Sequence, residues 1–158
     1  MKILAVEDSR LLRIGIERAL TKEGHEVISA ADGREATLLA RTELPALILL
    51  DMMLPGMEGT SVLKQLKQDA STAHIPVIVM SGLSQKNETK LREAGATAYI
   101  EKSSLDLDKL ADRLVAIVAN VPGVSGEHVG TDAHQPQTKI ARNANRGLTK
   151  ASGTGGVK

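Results

Sequence analysis

The feature that most constrains this chain is an alternation repeated five times: a short apolar run, a polar turn, then an amphipathic stretch. The apolar runs fall within residues 2–6, 27–30, 46–50, 77–80 and 97–101. They are short, carry no helical period and read as buried strands. The stretches between them return apolar residues at helical spacing, as in Leu12, Ile16, Ala19 and Leu20, or Leu110, Ala111, Leu114, Ile117 and Val118. This spacing predicts helices over about 9–23, 34–43, 60–68, 85–94 and 106–120, with Ser9 and Ser84 as caps and Gly24, Pro45 and Gly95 as terminators. Strand and helix in alternation predict an α/β fold, a doubly wound parallel sheet covered on both faces. The third run, Leu47-Ile48-Leu49-Leu50, is the most hydrophobic and belongs in the middle of the sheet.

Polar residues of a particular kind close these runs. Glu7 and Asp8 follow the first, Asp51 the third, Ser81 the fourth and Lys102 the fifth. Singly, each has an ordinary explanation. Asp8 before Ser9 suits a helix cap, Ser81-Gly82 suits a turn, and Lys102 suits a solvated strand end. Together they occupy the same end of four strands, and the carboxyl edge of an open parallel sheet is where ligands bind. Crowded carboxylates repel unless a cation joins them. Oxygen ligands of this kind suit Mg²⁺, which is commonly held by one or two carboxylates and a phosphate. A lysine and a hydroxyl beside it would meet the remaining phosphoryl oxygens. The residues therefore point to a Mg²⁺ and phosphoryl site.

Composition narrows the alternatives. The 158 residues include one Tyr, no Phe and no Trp, so the core is aliphatic and no stacking platform for single-stranded nucleic acid exists. With no Cys, disulfides, thiolate metal sites and Cys nucleophiles are excluded. The four His are scattered, which argues against zinc. No apolar stretch approaches the length of a membrane span, so a cytoplasmic protein without membrane contact is expected. Charge is uneven: residues 1–122 hold 15 basic and 17 acidic side chains, residues 123–158 hold 5 and 2. Beyond Pro122 the chain is rich in Gly, Ser, Thr, Asn and Gln, and is expected to be a flexible, low-complexity basic tail over 122–158.

The segments Val6-Glu7-Asp8, Leu50-Asp51-Met52-Met53-Leu54-Pro55-Gly56-Met57-Glu58-Gly59, Met80-Ser81-Gly82 and Glu101-Lys102 resemble the receiver (CheY-like) domain of two-component response regulators, of the single-domain type. The resemblance covers residues 1–121. It implies a flavodoxin-like sheet in the order 2-1-3-4-5 with five helices. It implies that Asp51 is the phosphoacceptor for a phosphohistidine on a histidine kinase or histidine phosphotransfer protein. Mg²⁺ would be bound by Asp8, Asp51, the backbone carbonyl of Met53 and Glu7, the last directly or through water. Ser81 would bond the phosphoryl group, Lys102 would pair with Asp51 and then with phosphate, and Ser81 with Tyr99 would form the switch. A downstream protein would bind the face made by the fourth helix, fifth strand and fifth helix, a surface also open to homodimerisation on phosphorylation. The protein would be no enzyme beyond its own phosphorylation and dephosphorylation.

Four positions depart from the family pattern. Ser103 stands where a proline usually follows the lysine, and Ser81 where threonine is commoner. Met53 and Leu83 occupy the two positions that flank the hydrolytic water, and neither can orient one. Met53 also argues against an aspartyl phosphohydrolase, which needs an acid there. The alternative function is a receiver fragment of a DNA-binding transcriptional regulator lacking its output domain, although residues after 122 show no helix-turn-helix pattern.

Overall fold

The computed structural model of the chain describes residues 1–82, 88–102 and 107–123. The elements run β1 (Lys2–Val6), α1 (Arg10–Lys22), β2 (Glu26–Ala30), α2 (Gly33–Glu43), β3 (Leu47–Asp51), α3 (Gly59–Gln68), β4 (Val77–Ser81), α4 (Glu88–Glu93), β5 (Ala98–Glu101) and α5 (Leu107–Asn120). The five strands form one parallel sheet in the order β2-β1-β3-β4-β5. This is the doubly wound α/β arrangement expected from the alternation, with β3 central. The expected cap at Ser84 and the residues at Leu83 and Ser103 lie outside the described residues.

Strand side chains alternate between two apolar layers, as the two-residue period of a strand requires. Leu4, Val6, Ile48, Leu50, Val77 and Val79 face α2, α3 and α4, where Ala36, Ala40, Val62, Leu63, Leu66 and Leu91 meet them. Ile3, Ala5, Leu47, Leu49, Ile78, Met80 and Ile100 face α1 and α5, meeting Ile16, Leu20, Leu114 and Val118. Every residue of β3 and β4 is buried, as suits interior strands of a sheet covered on both sides. Among the described residues no helix is long and apolar enough to cross a membrane.

Helix ends follow local chemistry. The Ser9 hydroxyl accepts from the Leu12 N–H, and one Asp32 oxygen accepts from both Arg34 and Glu35 N–H at 2.9 Å. Helix α1 closes with Gly24 at φ +84°, whose N–H reaches the Thr21 carbonyl, while the His25 N–H reaches that of Leu20. Helix α4 closes the same way through Gly95 at φ +104°. Helix α3 differs. Its capping residue Glu58 makes no side-chain cap, and the Gly59 N–H instead donates to the carbonyl of Met52 at 3.1 Å.

The register brings the carboxyl ends together. Val6 pairs with Leu50, Asp51 with Met80, and Ser81 with Glu101. Two strand ends run one residue further than the apolar pattern indicates: Asp51 and Ser81 are themselves strand residues. Backbone pairing continues past the last apolar side chain, from Met52 N–H to the Met80 carbonyl and from Lys102 N–H to the Ser81 carbonyl.

Candidate functional site

Glu7 leaves β1 with its N–H bonded to the Ala30 carbonyl, then the chain turns sharply into α1. The turn folds back on the Glu7 side chain. The Ser9 N–H donates to Glu7 Oε1 at 3.0 Å, and the guanidinium of Arg13 donates to the Glu7 carbonyl at 2.8 Å. Glu7 is thereby buried to 1% exposure while Asp8 points outward and is exposed. Asp51, the last residue of β3, is also 1% exposed. Its Oδ1 accepts the Met53 N–H at 3.1 Å, so the loop after the strand bends around the carboxylate.

Lys102 crosses this floor from the end of β5. Its ammonium lies 2.5 Å from Glu7 Oε2 and 2.8 Å from Asp51 Oδ2. Burial works against the ammonium, but the hydrogen bonds and charges of Asp51 and Glu7 outweigh it, and the Lys102 pKa is raised. Burial is also the largest influence on Glu7. Despite the lysine, and helped by the charge of Asp51, it pushes the Glu7 carboxyl up. The lysine is thus firmly charged and its two partners compete for it.

One oxygen from each of Glu7, Asp8 and Asp51 comes within 4.8 Å of the others. Three hard oxygen donors, one exposed and two buried, can hold a hard divalent cation. Asp8 is the exposed donor of the three; Glu7 and Asp51 are buried, and each of their carboxylate oxygens already faces a hydrogen-bond or ion-pair partner. Ser81, 2% exposed at the end of β4, completes the edge. Tyr99 sits on the neighbouring strand β5. Burial, with the charge of Glu101, raises the Tyr99 pKa, and the Ser81 side chain pulls the other way. Beside Ser81 lies a groove of about 370 Å³ lined by Met52, Met53 and Leu91, among others. Met53 stands 64% exposed at its rim.

Of the residues marked in the sequence, Glu7, Asp8, Asp51, Ser81 and Lys102 therefore meet at one edge of the sheet, with Met53 in the loop just past β3 and Tyr99 within β5, opposite Val79. Three partners were not marked. The Glu7–Lys102 ion pair joins residues 95 positions apart, and no local pattern carries it. The Ser9 N–H, two residues on, and Arg13, six residues on, hold Glu7. A cation on the first turn of α1, four residues beyond its cap, was the only available signal for Arg13.

This arrangement can accept a phosphoryl group: a buried, oriented carboxylate, a lysine to neutralise charge, a hydroxyl, and acids for a cation. Comparison with known proteins agrees. The family described as the response regulator receiver domain matches residues 3–115. Protein PilH of Pseudomonas aeruginosa is 34% identical over 119 residues, covering 75% of this chain and 98% of PilH. The response regulator PleD of Caulobacter vibrioides is 39% identical over 102 residues, 64% of this chain, and the match spans only 22% of PleD. The crystal structure of the phosphorylated cyanobacterial phytochrome response regulator RcpA superposes with a TM-score of 0.67 at 31% identity, covering 76% of this chain and 92% of that one. On the strength of the family match, the strand order and this edge of acids, lysine and hydroxyl, the chain belongs to the receiver domain family of response regulators, phosphoacceptor domains of two-component signalling.

Proposed function

We propose that Asp51 is the phosphoacceptor of this receiver. The observation that carries the reading is the Asp51 carboxylate itself. It is buried at a strand end, held through Oδ1 by the Met53 N–H and through Oδ2 by Lys102, with an oxygen within 4.8 Å of carboxylate oxygens of Glu7 and Asp8. A side chain so fixed gives up little further freedom on reaction. A carboxylate oxygen of Asp51 attacks the phosphorus of a phosphohistidine on a histidine kinase or phosphotransfer protein. The phosphorus–nitrogen bond breaks, the imidazole nitrogen takes a proton, and an acyl phosphate remains. Lys102 passes from the carboxylate to a phosphoryl oxygen and keeps Glu7 as its second partner. The Ser81 hydroxyl donates to another oxygen, and Tyr99 follows it as a switch.

The acid cluster fits Mg²⁺, with Asp8, Asp51 and the Met53 carbonyl as ligands and Glu7 acting through water. When bound, the ion neutralises charge on the transferring group. Glu7 sets the lysine, and Asp8 supplies the exposed ligand. The receiver unit ends at about residue 121, with 122–158 as a tail outside it, and works in the cytoplasm. The output surface is the face of α4, β5 and α5, which takes a downstream protein or a second copy. No observation favours the DNA-binding alternative.

The test is incubation with acetyl phosphate and Mg²⁺ followed by intact mass. One phosphate should be added, labile to hydroxylamine, and none in Asp51→Asn. Persistence of the same adduct in Asp51→Asn moves the acceptor elsewhere.

A further inference from the structure

Gly33 and Gly59 each open a helix, and neither is there for backbone freedom, since the positive-φ residues among those described are Leu44, Gly24, Gly56, Gly95 and Gly123. What they supply is space. A Cβ on Gly33 would stand 2.6 Å from Val62 Cγ2 and 3.0 Å from Met57 Sδ. Those are ends of side chains, which can turn aside. A Cβ on Gly59 would stand 2.5 Å from the Cα of Met52 and 2.6 Å from the carbonyl oxygen of Asp51. Those are backbone atoms, and they belong to the acceptor and its neighbour.

The consequence differs in kind. Ordinary contact begins near 3.4 Å. To reach it at Gly59, either the first turn of α3 retreats or the Asp51–Met52 backbone gives way by most of an ångström. The same turn is tied to that backbone by the hydrogen bond from the Gly59 N–H to the Met52 carbonyl. The Met53 N–H in turn fixes Asp51 Oδ1. A short path of covalent and hydrogen bonds thus links the seat of α3 to the orientation of the acceptor carboxylate.

We infer that Gly59 is a positioning residue for phosphotransfer: its missing side chain lets α3 seat directly on the Asp51–Met52 backbone, and that seat sets where the Asp51 carboxylate and the Met53 backbone stand. The inference rests on Asp51 being the acceptor. Gly33 provides the internal control, because a Cβ there would also meet an atom at 2.6 Å but would touch only side chains.

The experiment uses the full chain with acetyl phosphate and Mg²⁺, comparing wild type, Gly59→Ala, Gly33→Ala and Gly33→Ala with Val62→Ala. The readouts are the rate of phosphate addition by intact mass, the Mg²⁺ concentration giving half the maximal rate, and the melting temperature. An ångström of misplacement costs on the order of 10²-fold in rate. Gly59→Ala is expected to lose about ten- to hundredfold and to need more Mg²⁺. Gly33→Ala is expected to melt earlier but keep the wild-type rate and Mg²⁺ requirement, and Val62→Ala is expected to restore part of its melting temperature. Helix propensity alone predicts the reverse for Gly59→Ala, a more stable protein with unchanged chemistry, since alanine favours a helix over glycine.

A wild-type rate and Mg²⁺ requirement in Gly59→Ala overturns the inference. So does an equal loss of rate in Gly33→Ala, which would make the effect one of general stability. Failure of Gly59→Ala to fold where Gly33→Ala folds also overturns it, leaving Gly59 a folding residue only. A wild type that takes up no phosphate strikes instead at the assignment of Asp51.

Discussion

Lys102 is the residue through which the site is balanced. Two buried carboxylates share its one ammonium, and burial raises the carboxyl of Glu7 even so. Removing one partner from a buried ion pair typically costs about 3–5 kcal/mol, because it strands the other charge. Lys102 is therefore a structural cation in the site as it stands, and in the proposed transfer it is the group that turns to phosphate. Met53 acts at the same scale by what it lacks. Its backbone bonds Asp51, yet its exposed thioether offers no useful donor or acceptor to a water approaching an acyl phosphate. Slow loss of phosphate is the expected result. Met53→Asn places a polar group there and is expected to speed hydrolysis, by as much as about 10²-fold, read as decay of the phosphorylated mass after donor removal. An unchanged decay rate would mean that water reaches phosphorus by a route Met53 does not guard. The gathering of these residues was legible in the sequence, because Glu7, Asp51, Ser81 and Lys102 each follow an apolar run and the runs share a direction. Which carboxylate the lysine would favour was not legible. That depends on β1 and β5 delivering residues 95 positions apart to the same point, on opposite sides of β3.

Elements were legible to within about one residue at most of their ends, for a physical reason. Apolar runs mark where a strand needs to be buried, but the ladder of backbone hydrogen bonds continues one step into the polar edge. Asp51 and Ser81 belong to their strands on that account, and their side chains inherit strand geometry rather than loop freedom. Helix ends were easier, because glycine announces them. At the end of α4 the Gly95 N–H reaches the Arg92 carbonyl and the Ala96 N–H reaches that of Leu91. Leu91 and Ala96 both enter the core on that side of the sheet. Gly95 sits at φ +104°, and a Cβ would stand 2.9 Å from Cγ of Lys67. The ammonium of Lys67 meanwhile bonds the carbonyls of Ala73 and Ile75, so the lysine stem has two reasons not to move. Gly95→Ala is expected to cost about 1–3 kcal/mol through backbone strain alone. Urea denaturation should show a lower midpoint with an unchanged slope. A midpoint equal to wild type would show that the turn rebuilds without cost.

At the scale of the whole molecule, one sheet with two aliphatic layers accounts for the receiver, in keeping with the family match over residues 3–115. Among the described residues Val121 is the last of the α1–α5 layer, 3% exposed, and Pro122 and Gly123 form a turn. A chain ending at Val121 is expected to melt at the same temperature and accept phosphate at the same rate as the full protein. A marked drop in melting temperature would assign the later residues a stabilising role. The same aliphatic economy has an optical consequence. Tyr99 is the sole Tyr, Phe or Trp of the chain, and it sits on β5 beside β4, the strand that ends in Ser81. All near-ultraviolet absorption and emission therefore come from a single ring beside the chemistry. Changes there register in tyrosine fluorescence without any label. With no tryptophan of its own, the receiver stays dark under excitation that lights a tryptophan-bearing partner, so both halves of an encounter can be watched in one cuvette.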